Sequence, residues 1–131
     1  MKKIVLFALC IIMIFSLVSC IDNADHSNDT LVYYRSASNT QDGIYLATFT
    51  VSWKNGVLST MRHDIYCLTE DHANKLYESL TKRFEADPAT KVTIEKNVVS
   101  YNDSAISNYK DMSYKEIKKM LDSDPSWSPS K

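Results

Sequence analysis

The sequence predicts an α+β fold: an antiparallel sheet of about four strands, one main helix packed on one face and a short C-terminal helix. Three observations predict it. From Tyr45 to Trp53, apolar residues at odd positions alternate with mostly hydroxylated ones, the period of a half-buried strand. Lys54-Asn55-Gly56 breaks that run and a second β-prone stretch follows from Val57 to Leu68, which reads as a hairpin. From Thr69 to Ala86 the apolar period lengthens to that of an amphipathic helix.

The chain starts with a basic pair, Lys2 and Lys3, followed by an uncharged and mostly apolar run from Ile4 to Ser19. That run is short for a transmembrane span, which needs ~20 residues. It has the parts of an export signal: a positive start, an apolar middle and a small residue at the cut. Leu17-Val18-Ser19-Cys20 is the arrangement of bacterial lipoprotein signals. There the cysteine thiol takes a diacylglyceryl group and the leader is cut just before it. The organisation expected is therefore a signal peptide over 1–19, lipidated Cys20 with a polar tether over 20–30, a single domain over 31–121 and a disordered tail over 122–131. Acyl chains contribute ~0.8 kcal/mol per buried methylene, so two or three hold a protein to a bilayer.

Removing 19 of 131 residues leaves 112, room for one domain with one modest core. Lys2 and Lys3 leave with the leader, so 13 basic and 16 acidic side chains remain, a charge of −3. That gives no electrostatic case for nucleic acid or for anionic headgroups. Of three cysteines, Cys10 is discarded and Cys20 lipidated. Cys67 is then alone, and stability has to come from packing instead of a disulfide.

Within the domain, Leu31 to Arg35 is a short β-prone run, and Asp42-Gly43 is a turn dipeptide. For the hairpin, a two-residue Asn-Gly turn sets Phe49 opposite Arg62. A three-residue loop sets Trp53 opposite Val57, Phe49 opposite Met61 and Tyr45 opposite Ile65. A one-residue slip moves every side chain to the other face. The three-residue loop gathers the apolar residues together and is the register expected. In the helix, Thr69 is the N-cap, and Ala73, Leu76, Tyr77, Leu80 and Phe84 form one stripe expected to cover the odd face of the hairpin. Asp87-Pro88 stops it.

Lys91 to Tyr101 is strand-like, interrupted at Glu95-Lys96-Asn97 by a turn or an exposed stretch. Ser104 to Tyr109 suggests a weak edge strand. Ser113-Tyr114-Lys115-Glu116 is a capping box, which starts a helix from Tyr114 to Leu121.

No motif for catalysis, metal or cofactor stands out. His63 and Cys67 share one face of a strand, but four residues of strand span ~13 Å, too far for a thiol–imidazole bond. Cys67 reads as a buried small hydrophobe. Glu70, Asp71 and His72 are consecutive at a helix start and fan around its axis. His26 stands alone in the tether, and Asp64 with Glu70 is an unremarkable pair among sixteen acids. Tyr33, Leu46 and Tyr66 are expected to fall off the core face and form a partner-binding surface, unless the C-terminal helix covers them.

The segments ATFTVSWKNGVLS (Ala47–Ser59), TEDHANKLYESLTKRFEA (Thr69–Ala86) and DMSYKEI (Asp111–Ile117) together resemble the YehR-like family of small bacterial lipoproteins of unknown function. The chain is shorter between Tyr101 and Asp111 than that family's pattern. The resemblance implies an α+β domain and assigns no catalytic or binding residue. The function expected is a non-catalytic binding or interaction module, lipid-anchored at the cell membrane or outer membrane with its domain outside the cytoplasm. Its partner is an envelope protein, a peptide or a glycan. The alternative is a small envelope hydrolase or redox enzyme using Cys67 or a histidine.

Overall fold

The computed structural model describes residues 25–37 and 42–130. The signal peptide expected over 1–19 and Cys20 lie outside the described residues. The fold is α+β, with six antiparallel strands and three helices among the described residues. The strands are β1 (Thr30–Ser36), β2 (Ile44–Lys54), β3 (Val57–Cys67), β4 (Val92–Glu95), β5 (Val98–Asn102) and β6 (Ser128–Pro129). They lie in the order β4-β5-β3-β2-β1-β6. The helices are α1 (Glu70–Arg83), the single turn α2 (Ile106–Tyr109) and α3 (Tyr114–Ser123).

Six strands replace the expected four for two local reasons. Lys96-Asn97 is a turn that splits the Lys91–Tyr101 stretch into β4 and β5. The chain end adds β6 beside β1. Ser104 to Tyr109 is not an edge strand; it turns and then forms α2.

The β2–β3 register is neither of the two considered. The turn holds two residues, Asn55 and Gly56, with φ of 51° and 77°. Asn-Gly supplies that left-handed pair at little cost and matches the twist of a hairpin. Lys54 then faces Val57 and Trp53 faces Leu58, but Ser52 faces Thr60. Ser59 is thus an extra residue in a β-bulge, and its hydroxyl donates to the Ser52 carbonyl at 3.1 Å. Beyond the bulge Val51 faces Met61, Phe49 faces His63 and Ala47 faces Ile65. Odd residues still meet odd residues, as burial demands, two positions away from the expected pairing. The bulge corrects the face that the tight turn alone would have reversed.

Both long helices pack on this odd face. Helix α1 lays Ala73, Leu76, Tyr77 and Leu80 against Cys67, Ile65, Val99 and Ile94, over the β3-β5-β4 half. Each such apolar side chain contributes roughly 1.5–3 kcal/mol when fully buried. Helix α3 lays Ile117 and Leu121 against Leu31, Tyr33, Phe49, Val51 and Met61, over the β1-β2-β3 half. Thr69 caps α1 by accepting from the His72 amide, and Ser113 with Glu116 closes a capping box on α3.

Both predicted flanks differ from expectation. Within the tether expected over 20–30, residues 27–29 dock on the hairpin. The Gly56 amide donates to the Ser27 carbonyl and the Trp53 amide to the Asp29 carbonyl, each at 2.9 Å. His26 stacks on Tyr114 at 3.9 Å. The expected disordered tail is structured through residue 130. Tyr33 pairs with Pro129 and Tyr34 with Ser128, and the Ser130 amide donates to the Val32 carbonyl at 2.8 Å. Trp127 packs on Phe49 and under the Arg35 guanidinium.

Candidate functional site

Among the described residues both long helices lie on the odd face and no helix lies on the even face of the sheet. Its side chains form rows across the strands. One row runs Ser36, Leu46, Tyr66, Val98; the next runs Tyr34, Thr48, Asp64, Ser100; a third runs Val32, Thr50, Arg62, Asn102. The alternation of β2 dictates this composition, since its even positions are Leu46, Thr48, Thr50 and Ser52.

Of the three residues expected to form a partner surface, two are there. Leu46 and Tyr66 stand directly opposite one another on β2 and β3. Tyr33 is not with them. It pairs with Phe49 on the odd face and is 1% exposed under α3. Its β1 neighbours Val32 and Tyr34 take the outward positions instead, with Tyr34 42% exposed. Tyr45 joins them because a second irregularity falls between Ile44 and Leu46, leaving Tyr45 out of the ladder with its ring 6.2 Å from that of Tyr66. Helix α3, the candidate cover for this face, lies on the other one.

Beside the tyrosines lies a polar cluster that sequence spacing did not reveal. The Arg62 Nε–H donates to Asp64 at 2.8 Å, the Ser100 hydroxyl donates to the same carboxylate at 2.6 Å, and Arg62 Nη2 donates to Ser100 Oγ at 3.2 Å. Ser100 is buried; Arg62 is half exposed. An open groove of about 480 Å³ runs past Arg62, Asp64, Tyr66, Thr93 and Asn97. Ser100 is 36 positions from Asp64, so only the β3–β5 pairing brings them together.

This arrangement offers guanidinium donors, carboxylate and hydroxyl acceptors, and tyrosine rings side by side, a set suited to holding a ligand. It is poorly suited to nucleophilic attack. The Ser100 proton is committed to Asp64, and the neighbouring guanidinium draws density from its oxygen. The ring of His63, the general base nearest along β3, points to the opposite face.

The Cys67 thiol has no exposed surface, and burial pushes its pKa up, so little thiolate forms. His63 is stacked between Phe49 at 4.5 Å and Tyr101 at 4.8 Å, with Nε2 3.4 Å from Asp103. Burial lowers its pKa, opposed by the bond to Asp103. His72 pairs with the Thr69 hydroxyl and His26 with Asp29. Among the described residues no group of three or more potential ligands converges on a metal site, and no helix is long and apolar enough to cross a membrane.

The fold and this face together define an α+β sheet domain whose described helices lie on one side and whose other side is aromatic and hydroxyl-rich. Compared with known proteins, the chain matches no family model, no curated protein and no solved structure.

Proposed function

We propose that this protein is a lipid-anchored envelope lipoprotein whose uncovered sheet face binds a partner without catalysis. One observation carries the reading: α1 and α3 pack on the same side of the sheet, and exposed Tyr34, Tyr45 and Val32 lie outside both core clusters. Aromatic side chains exposed together on an uncovered face, each with an apolar body and a polar tip, suit recognition of a partner. The partner classes it suits are an envelope protein, a peptide or a glycan. The lipobox ending at Cys20 supports attachment to the cell membrane or outer membrane, with the domain outside the cytoplasm. Likeness to the YehR-like lipoproteins, carried by the segments quoted above, supports the same assignment.

The test is crosslinking and capture of the intact lipoprotein from its own membranes, beside Cys20→Ala and a Tyr45→Ser/Tyr66→Ser double variant. A partner retained by the native protein, reduced by Cys20→Ala and lost with the double variant is the expected result. Capture indifferent to the double variant removes the even face from consideration.

A further inference from the structure

Cys67 is sealed and the His63 stack is flanked by Trp127, whereas the N-terminal segment is held at an open end of the domain. Residues 27–29 are bonded to the β2–β3 hairpin tip: Ser27 to Gly56, the Asn28 side chain to the Asn55 amide at 3.1 Å, and Asp29 to Trp53. Thr30, the first residue of β1, pairs with Ser52 at that same end.

The lipid would be attached at Cys20, five positions before Asp25, and five residues of chain reach at most ~18 Å. From Val57 to Cys67, by contrast, β3 covers ten steps of strand, ~34 Å. The leash is therefore shorter than the sheet is long. We infer that the Asn55-Gly56 hairpin tip is the membrane-facing end of the domain, resting on the lipid headgroup layer with Val57 turned toward the bilayer. This rests on the proposed lipidation of Cys20.

The surface chemistry of the tip agrees. Among the described residues Val57 is the most exposed of the large apolar side chains, at 61%, and pairs across the turn with exposed Lys54. An apolar side chain beside a long-stemmed cation suits the bilayer interface. Asp29 on the docked segment and Asp25 just before it more than offset the one charge of Lys54, so the surface fitted is zwitterionic and not strongly anionic. The opposite end carries Tyr45, Leu46, Tyr66 and the Lys96-Asn97 turn. Asn97 is tied to Cys67 by two 2.8 Å hydrogen bonds. The aromatic end of the binding face therefore stands away from the anchoring membrane, toward whatever layer lies outside it.

The experiment uses the full mature lipoprotein in phosphatidylcholine vesicles that carry a headgroup-linked quencher. A fluorophore is placed on Val57→Cys, Thr50→Cys or Lys96→Cys in turn. Buried Cys67 takes no label, which the protein without an added cysteine verifies. Quenching at position 57 several-fold above that at 96, with 50 between them, is the expected order. Equal quenching at 57 and 96, or strongest quenching at 50, means a domain lying flat on its even face and overturns the orientation alone. An intact mass without acyl chains, with no binding to vesicles, overturns the lipidation reading and the orientation with it.

Discussion

Tyr33 and Asp122 are joined across 89 positions of sequence: the buried phenol of β1 donates a 2.5 Å hydrogen bond to the carboxylate near the end of α3. Burial first, then Asp122, hold the phenol proton on, well above the usual tyrosine range. The bond adds a polar tie to the apolar packing of Ile117 and Leu121 that seats α3 on the odd face. Tyr33→Phe keeps the ring and removes the bond. A net hydrogen bond contributes about 1 kcal/mol, which in a domain of this size lowers Tm by roughly 4–8 °C. Thermal unfolding followed by circular dichroism reads this directly. Partner capture by the same variant at 20 °C should be unchanged.

The even face should respond in the opposite way. Tyr45→Ser/Tyr66→Ser removes two partly exposed rings that lie outside both core clusters. Its stability cost is expected at about 1 kcal/mol or less, the range of cross-strand pairs, while partner capture is lost. A Tm that falls as far as that of a core variant would show that these rings hold the sheet together and do not serve recognition.

Three turn positions make a graded series. Gly43 has φ of +70°, and a Cβ there would stand 2.2 Å from the His72 ring, so Gly43→Ala meets both backbone strain and a clash. Gly56 has φ of +77° and open space around it, so Gly56→Ala meets the strain alone. Lys96 already occupies the left-handed region at +53°. The expected changes are about 2–4 kcal/mol lost for Gly43→Ala, about 1 lost for Gly56→Ala and up to about 1 gained for Lys96→Gly. Urea unfolding at constant m-value gives the order.

How far the sequence could be read depended on where the information lay. The β2 alternation identified the buried parity, and Thr69 and Ser113 marked both helix starts, because those signals are local. The Ser59 bulge was hidden, since it reconciles a turn preference with a burial preference and neither shows alone. Tyr33 was misplaced because Leu31, Val32, Tyr33 and Tyr34 are all apolar or aromatic, and a run without alternation does not name its inner face. Its inner face is set by the pairing of Tyr33 with Phe49 and by packing under α3, neither of which is local in sequence. Arg62, Asp64 and Ser100 form a cluster only through strand pairing. The polar composition around Trp127 suggested a loose tail, and the one aromatic residue in it outweighed its surroundings.

His63 predicts an acid weakness. Its folded-state pKa lies below the unfolded value because of burial, with Arg35 adding to that and Asp103 and Asp64 opposing it. Below about pH 6.5 the unfolded chain therefore binds a proton that the folded protein resists. Stability is then full above that pH and falls as pH drops through it, with a slope of at most ~1.4 kcal/mol per pH unit. The carboxylates of Asp122, Asp124 and Glu116, held low by hydrogen bonds, lose their contributions only at lower pH, near and below the carboxylate range. Urea midpoints from pH 7.5 to 5 should fall for the native protein and flatten for His63→Phe, which keeps the stack. Parallel curves for the two proteins would assign the acid limb to another group.

The chain end gives the last prediction. Trp127 packs on Phe49 at 5.9 Å and lies under Arg35 at 5.1 Å, while Ser128 and Pro129 pair with β1. The segment thus performs two tasks, closing the odd-face seam over His63 and occupying the edge of the sheet. The two separate by mutation. Trp127→Ala removes the seam contact and keeps the edge pairing, with an expected cost of about 2 kcal/mol for a partly buried aromatic ring and no change in assembly. Truncation after Ser123 removes both, and leaves β1 as a bare edge of the kind that recruits another strand. The truncated protein should be less stable than Trp127→Ala and form dimers or larger species in concentration-dependent light scattering. Pro129 has no N–H to offer a further strand, so β6 is a poor template for edge-to-edge pairing. Truncated protein that stays monomeric with an unchanged Tm would mean that the tail neither guards the edge nor closes the seam.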